Sequence, residues 1–445
     1  MEHLRRSALF FPVTLPRGAP RSGAVALAVC LLGLACAPLT QEVRPDEMLG
    51  TGRHRVIEAL RSPAVTGGMI STSGLASTAL SSGKISVNRP IKGLDPAGTP
   101  GARPFRQVLE DGTVVEGLLF PYEDGTGNPK PLLMASFGFL QDRWGSEAAK
   151  FHELYLRDPS VRIPAHVLIL DHPTAGPFLA NNGFLSIGAY DDARMWIEIA
   201  KRLRDELQPS GVHLFGVSMS GQTVVHALIE DTRLGLGLFQ SAMAISLAPD
   251  FQQAPGRQLA RLPVPEGHRN PWQVDGHSDA GNTIVDAIQG WGIRVLLAKQ
   301  FFPHYAVVRP NGPELQLEPE AVAEFLRGAC EDRIAFLRAN RPKTWNQDFG
   351  LADLETFMAS ARIAEVINRA RTPLVLVSAF DDPAVDRWMY VEAATAAVGN
   401  PWVLSYETEQ GGHFGFDVAY GGDYLGKLIR LMSDPEVLQN WKDMP

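Results

Sequence analysis

The stretch His213-Leu214-Phe215-Gly216-Val217-Ser218-Met219-Ser220-Gly221-Gln222 constrains this chain more than any other. Its apolar start has strand character, the small residues after it permit a sharp reversal, and helical spacing follows over residues 222–230. The chain is therefore expected to turn from a buried strand into a helix with Ser218 at the apex. A serine hydroxyl attacks carbonyls poorly unless a tight turn pushes it out of the backbone, beside a base and under amide donors. Ser218 is thus the candidate nucleophile. Gly216 stands two residues before it, and Ser220 stands two after it, where the G-x-S-x-G elbow carries a second glycine; Gly221 comes one place later.

Around this turn the pattern alternates between strand and helix. Extended runs over 105–109 and 113–120 are joined by Glu110-Asp111-Gly112, an acceptable hairpin turn. Apolar strands follow at 131–135, 167–170, 213–216 and 242–247, with helices at 145–157, 191–207 and 222–230. Residues 251–371 break the alternation with proline-rich loops such as Leu262-Pro263-Val264-Pro265. Helical segments are expected there near 284–289, 319–340 and 351–369, and the stretch reads as a helical lid inserted into the sheet domain. Alternation resumes with strands at 374–377 and 402–406 and helices at 386–398 and 423–432. This predicts an α/β fold with a mostly parallel central sheet and helices on both faces. Ligand sites in such sheets lie at the carboxyl ends of the strands, where Ser218 falls.

The expected organisation is an export segment over 1–36, a flexible Gly/Ser/Pro-rich lead-in over 37–104, a core over 105–250, the lid over 251–371 and the rest of the core over 372–445. Arg5, Arg6, Arg17 and Arg21 precede an apolar run from Ala24 to Ala35, shorter than the roughly 20 residues a spanning helix needs. The run ends Leu32-Gly33-Leu34-Ala35-Cys36, which resembles a bacterial lipoprotein signal with Cys36 as the lipidated residue, although Gly33 stands where leucine is usual. That resemblance implies export to the cell envelope and a membrane tether through Cys36, with plain cleavage and secretion as the alternative. Cys30 and Cys36 belong to this segment, so Cys330 is left alone in the body of the chain, without a partner for a disulfide. A net charge of -8 argues against nucleic acid and anionic membrane surfaces as partners. Ser81-Ser82-Gly83-Lys84 is not a phosphate loop, because Thr78 replaces its first glycine and Ile85 the residue that must reach the metal.

Two further segments fall at strand ends. Ser378-Ala379-Phe380-Asp381-Asp382-Pro383 puts a carboxylate at the mouth of a late strand, and Gln410-Gly411-Gly412-His413-Phe414-Gly415-Phe416 puts a histidine in a glycine-rich loop. The order Ser, Asp, His is that of the α/β-hydrolases, and the three segments resemble the triad segments of that superfamily over about residues 105–435. The histidine loop is most similar to bacterial hydrolases of the YheT and embryogenesis-associated type.

The resemblance implies Ser218 as nucleophile, His413 as general base and acid, and Asp382 as the carboxylate orienting the imidazole, with Asp381 and Asp250 as alternatives. It also implies an oxyanion hole from the backbone N–H groups of Met219 and Phe139. Many relatives begin the second of these loops His-Gly, where this chain has Phe137-Gly138. His172, in Leu170-Asp171-His172-Pro173, also ends a strand and is expected at the mouth of the cleft. No H-E-x-x-H pair and no dinucleotide-binding glycine loop is recognisable, so no metal or organic cofactor is expected. The function implied is hydrolysis of carboxylic esters, in a small-molecule ester or acyl substrate, through an acyl-enzyme. A peptidase or acyltransferase with the same triad, and an inactive surface-tethered binding protein on the same scaffold, are the alternatives.

Overall fold

The computed structural model describes residues 51–61, 94, 99, 101–139, 141–157, 162–186, 190–249, 319–340, 353–359, 361–380, 382, 385, 387–421 and 423–442. The expected export segment with Cys36, Asp250, Asp381 and the expected helix at 284–289 lie outside them. So does the side chain of Cys330.

Strands β1 (Arg103–Val108), β2 (Val114–Phe120), β3 (Leu132–Ser136), β4 (His166–Leu170), β5 (Val212–Val217), β6 (Phe239–Ile245), β7 (Leu374–Ala379) and β8 (Val403–Thr408) form one sheet. Its order is β1-β2-β4-β3-β5-β6-β7-β8. β2 is antiparallel to both neighbours, and every other pair is parallel. This is the α/β-hydrolase fold expected from the motifs.

The central strands are apolar on both sides because both faces are covered. Leu132, Met134, Leu214, Ala242 and Leu374 enter one core, and their neighbours Leu133, Ala135, Phe215, Met243 and Val375 enter the other. The period of two sends successive side chains to opposite faces, so a continuous apolar run is what a doubly covered strand requires.

The helices are α1 (Thr51–Leu60), α2 (Ser146–Tyr155), α3 (Gly176–Asn182), α4 (Tyr190–Leu207), α5 (Met219–Leu234), α6 (Pro319–Asn340), α7 (Leu354–Ala359), α8 (Ile363–Val366), α9 (Arg387–Ala396), α10 (Phe416–Tyr420), α11 (Tyr424–Met432) and α12 (Pro435–Lys442). α4 and α5 cover the first face, while α1, α2 and α11 cover the second. Truncating a fully buried ring such as Phe215, between β5 and α2, costs about 3–5 kcal/mol.

The structure corrects two expectations. Within the supposed flexible lead-in, α1 buries Val56, Ile57 and Leu60. Arg53 donates to the carbonyls of Val403 at 2.8 Å and Pro401 at 3.2 Å, and the Tyr424 hydroxyl donates to Leu60 O at 2.9 Å. A Cβ on Gly52 would overlap the backbone of Val437, so glycine is what lets α1 approach α12. A short apolar set among small and polar residues carries little periodicity, and its packing partners lie more than 300 residues away.

The single helix expected over 351–369 is instead broken into α7, α8 and a 3₁₀ turn at Ile367–Arg369. At the break, Ala361 O accepts from Gln222 Nε2 at 2.6 Å and lies 3.1 Å from His226 Nε2. These α5 side chains engage a carbonyl that a continuous helix would use internally.

α6, which lies in the stretch expected as a lid, packs against the β1–β2 turn. Because β2 runs against β4, the β1–β2 turn lies at the carboxyl ends of the parallel strands. The wholly buried Arg333 of α6 reaches that turn, with Nη1 2.9 Å from Thr113 Oγ1 and Nη2 3.5 Å from Asp111, and its Nε donates to Asp191 at 2.8 Å. The guanidinium also stacks 4.7 Å from the Phe184 ring.

Candidate active site

Ser218 caps α5 immediately after β5, with φ 59° and ψ -124°. A non-glycine residue in that region is strained, and such strain persists only where the surroundings enforce it. Here the enforcement is visible: Ser218 N donates to Ile245 O at 2.8 Å, and Ala248 N to Ser218 O at 3.3 Å, so β6 and the loop after it hold the turn. A Cβ on Gly216 would overlap the Ser220 carbonyl. Glycine is therefore required there by close approach rather than by a positive φ. Ser218 is only partly buried, while its neighbours on either side are buried.

The loop after β3 lies directly against this turn. Gly138, at φ 89°, could carry no side chain: a Cβ would stand 2.6 Å from Val217 O, 2.8 Å from Ser218 Cβ and 3.2 Å from Met219 N. The Met219 N–H opens α5, where helix amides lack intrahelical acceptors and the helix dipole favours negative charge. Ser220, the departure from G-x-S-x-G, is buried and engaged. Its Oγ accepts from Gly138 N at 2.9 Å and donates to Ser136 Oγ at 2.9 Å.

Asp382 and His413 meet across the loops that follow β7 and β8. His413 Nδ1 lies 3.0 Å from Asp382 Oδ2 and 3.2 Å from Oδ1. Facing a carboxylate, Nδ1 holds the proton and Nε2 is left as the basic nitrogen. Asp382 is itself buried and accepts from Val385 N at 3.2 Å. Around the histidine, Gly415 N bonds Gly411 O at 2.6 Å, with Gly411 at φ 139° and Gly412 at φ 55°. A side chain on Gly411 would meet the Phe416 ring at 2.8 Å. A bidentate pair, Arg387 to Glu407 at 2.8 Å on both arms, ties the start of α9 to the end of β8 below the two loops. Sequence reading had not singled it out.

An aromatic cluster joins these segments. The Phe137 ring packs 5.4 Å from Phe151, 6.0 Å from Phe414 and 6.4 Å from Phe215. Phe137, which replaces the usual histidine, thus links the β3 loop, α2, β5 and the His413 loop through apolar contact. Lys150 of α2 donates to Phe414 O at 2.8 Å and sits 4.7 Å from the Phe414 ring centroid. Burial lowers its ammonium to about 8, against the pull of Asp417 and Glu147.

His172, expected at the mouth of the cleft, has an enclosed side chain. It is buried, its Nδ1 accepts from Thr174 N at 3.1 Å, and burial pushes its pKa down to about 3. The neighbouring Asp171 receives Arg143 N at 2.7 Å and pairs with the Arg143 guanidinium. Burial raises Asp171 to about 7 despite that arginine. Among the described residues no three His, Cys, Asp or Glu side chains form a metal-ligating group.

Sheet order and elbow together define the class of fold as that of the α/β-hydrolases. No family model matches the chain, and no curated protein does. Among solved structures it is similar to a Pyrococcus furiosus esterase, at 13% identity and TM-score 0.42, covering 78% of this chain and 100% of that one. It is also similar to Porphyromonas gingivalis dipeptidyl peptidase 4, at 10% identity and TM-score 0.42, covering 75% of this chain and 35% of that one. A third similarity is to 2,6-dihydroxy-pseudo-oxynicotine hydrolase, at 12% identity and TM-score 0.43, covering 76% and 69%. This chain thus spans about a third of the length of the dipeptidyl peptidase.

Proposed function

We propose that the protein is a serine hydrolase of carboxylic esters. In this reading Ser218 Oγ attacks the ester carbonyl while His413 Nε2 takes its proton, and Asp382 stabilises the resulting imidazolium. The N–H groups of Met219 and Phe139 hold the oxyanion, each donor contributing about 3–4 kcal/mol to the transition state. Collapse of the tetrahedral intermediate expels the alcohol, which receives the proton from His413. Water, deprotonated by His413, then attacks the acyl-enzyme, and the Ser218 ester bond breaks as His413 returns the proton to Oγ, which releases the acid and regenerates the serine.

The observation that carries the reading is the strained, partly exposed Ser218 with the Gly138 loop against it, on the sheet edge that also bears the His413–Asp382 pair. The test is labelling by a fluorophosphonate and turnover of a short-chain aryl ester. Wild-type protein should do both, and Ser218→Ala neither, while remaining folded. A folded Ser218→Ala protein that keeps most of the activity would remove Ser218 from the mechanism. We place the enzyme in a bacterial cell envelope, tethered through Cys36; incorporation of a palmitate analogue that Cys36→Ser abolishes would bear this out.

A further inference from the structure

We infer that Ser220 is a positioning residue that sets the second oxyanion donor, an inference that rests on the hydrolase reading above. Three contacts carry it. The Gly138 N–H is spent on Ser220 Oγ at 2.9 Å, so it is directed away from any oxyanion and the duty passes to the next amide. The Ser220 hydroxyl proton is in turn spent on Ser136 Oγ at 2.9 Å, which fixes the rotamer that makes Oγ an acceptor for Gly138. The Gly138 carbonyl accepts from Gln141 N at 3.1 Å, closing a turn.

A trans peptide is planar, and its C=O and N–H point in opposite directions. The Gly138 carbonyl and the Phe139 N–H belong to one such peptide, so the bond from Gln141 N sets the direction of the Phe139 N–H, while Ser220 Oγ anchors the preceding 137–138 peptide; with both held, the two peptides cannot rotate against each other about Gly138. Glycine at 220 would leave Gly138 N–H without its acceptor in a buried site. Gly138 has φ 89° and no side chain of its own to restrain it, so the loop would then be free to rotate that peptide. Ser220 is itself too enclosed to attack a substrate, with 1% of its surface exposed and both its donor and acceptor functions engaged.

The experiment uses the full chain and the variants Ser220→Ala and Ser220→Gly. It measures kcat and KM on an aryl ester per titrated active site, the fluorophosphonate labelling rate, and amide hydrogen exchange over residues 136–141. Deleting an oxyanion donor outright costs about 10²–10³-fold in kcat, and misdirecting one should cost about 10-fold or more. The expected result is that loss in kcat and in labelling rate, with KM little changed and exchange over 136–141 accelerated. A merely structural role would lower the fraction of titratable sites and leave kcat per site unchanged, which would overturn the inference. Ser136→Ala, which frees the Ser220 hydroxyl to rotate, should lower kcat by about 3-fold and decides the matter if the Ser220 variants fail to fold. An active wild type whose variants match it in kcat and exchange overturns the inference alone. An inert wild type overturns the hydrolase reading as well.

Discussion

His413 Nδ1 and Asp382 Oδ2 lie 3.0 Å apart, although they sit on separate loops that follow neighbouring parallel strands. Asp382 has almost no exposed surface, whereas the His413 side chain keeps 18%. The carboxylate is therefore shielded from water and the imidazole is presented to it. On the proposed mechanism, Asp382→Asn should lower kcat by on the order of 10⁴-fold through loss of the correct tautomer. Steady-state kinetics on a folded Asp382→Asn protein checks this. A loss under about 10-fold would point to another carboxylate, with Asp381→Asn and Asp250→Asn the next variants to measure.

The elbow should tolerate no side chain at residue 216. The overlap is with the Ser220 backbone, which cannot move without unwinding the first turn of α5. Gly216→Ala should cost about 3 kcal/mol and abolish labelling of Ser218. Chemical denaturation together with probe labelling reads both effects. Normal labelling at wild-type stability would mean that the turn has room to adjust.

Arg333 neutralises carboxylates on two other elements. Removing one member of a buried ion pair typically costs about 3–5 kcal/mol because the remaining charge stays buried. Arg333→Ala should therefore destabilise the protein by that order, and limited proteolysis should cut within α6 before the sheet. Asp191→Asn in the same background should restore part of the loss, because the two side chains are hydrogen-bonded at 2.8 Å. Strict additivity of the two changes would deny the coupling.

His172 should make folding sensitive to mild acid. Burial lowers its pKa from about 6.5 to about 3, so its share of stability is complete above pH 6.5. Below that pH the unfolded chain binds a proton that the folded chain refuses, and the contribution is lost as pH falls toward 3. The gap in stability between wild type and His172→Gln should thus shift steadily against wild type from about pH 6.5 down to pH 4.5. Urea unfolding across that range measures it, and a gap that does not change with pH would show that His172 is not the titrating group.

The alternation of apolar strands and helices is local information, and it sufficed to place the parallel sheet, the serine turn after β5 and the two late loops. Each depends on spacing within a few residues: period two for strands, 3.6 for helices, and small residues where the backbone must reverse. What lies beyond that range came from the tertiary structure. The composition around α1 suggested a flexible lead-in, yet Val56, Ile57 and Leu60 pack against α11 and α12 at the other end of the chain. Phe137 looked like a lost histidine and is instead the ring that packs the β3 loop onto β5 and Phe414. Ser220 looked like a degraded glycine, and only the approach of Gly138 and Ser136 gives its hydroxyl two partners. Asp382 was preferred to Asp381 and Asp250 on the resemblance alone, and its contact with His413 joins loops that follow β7 and β8. In every case the deciding contact joins segments that no local period relates, so packing had to bring them together before the chemistry of the side chain could be read.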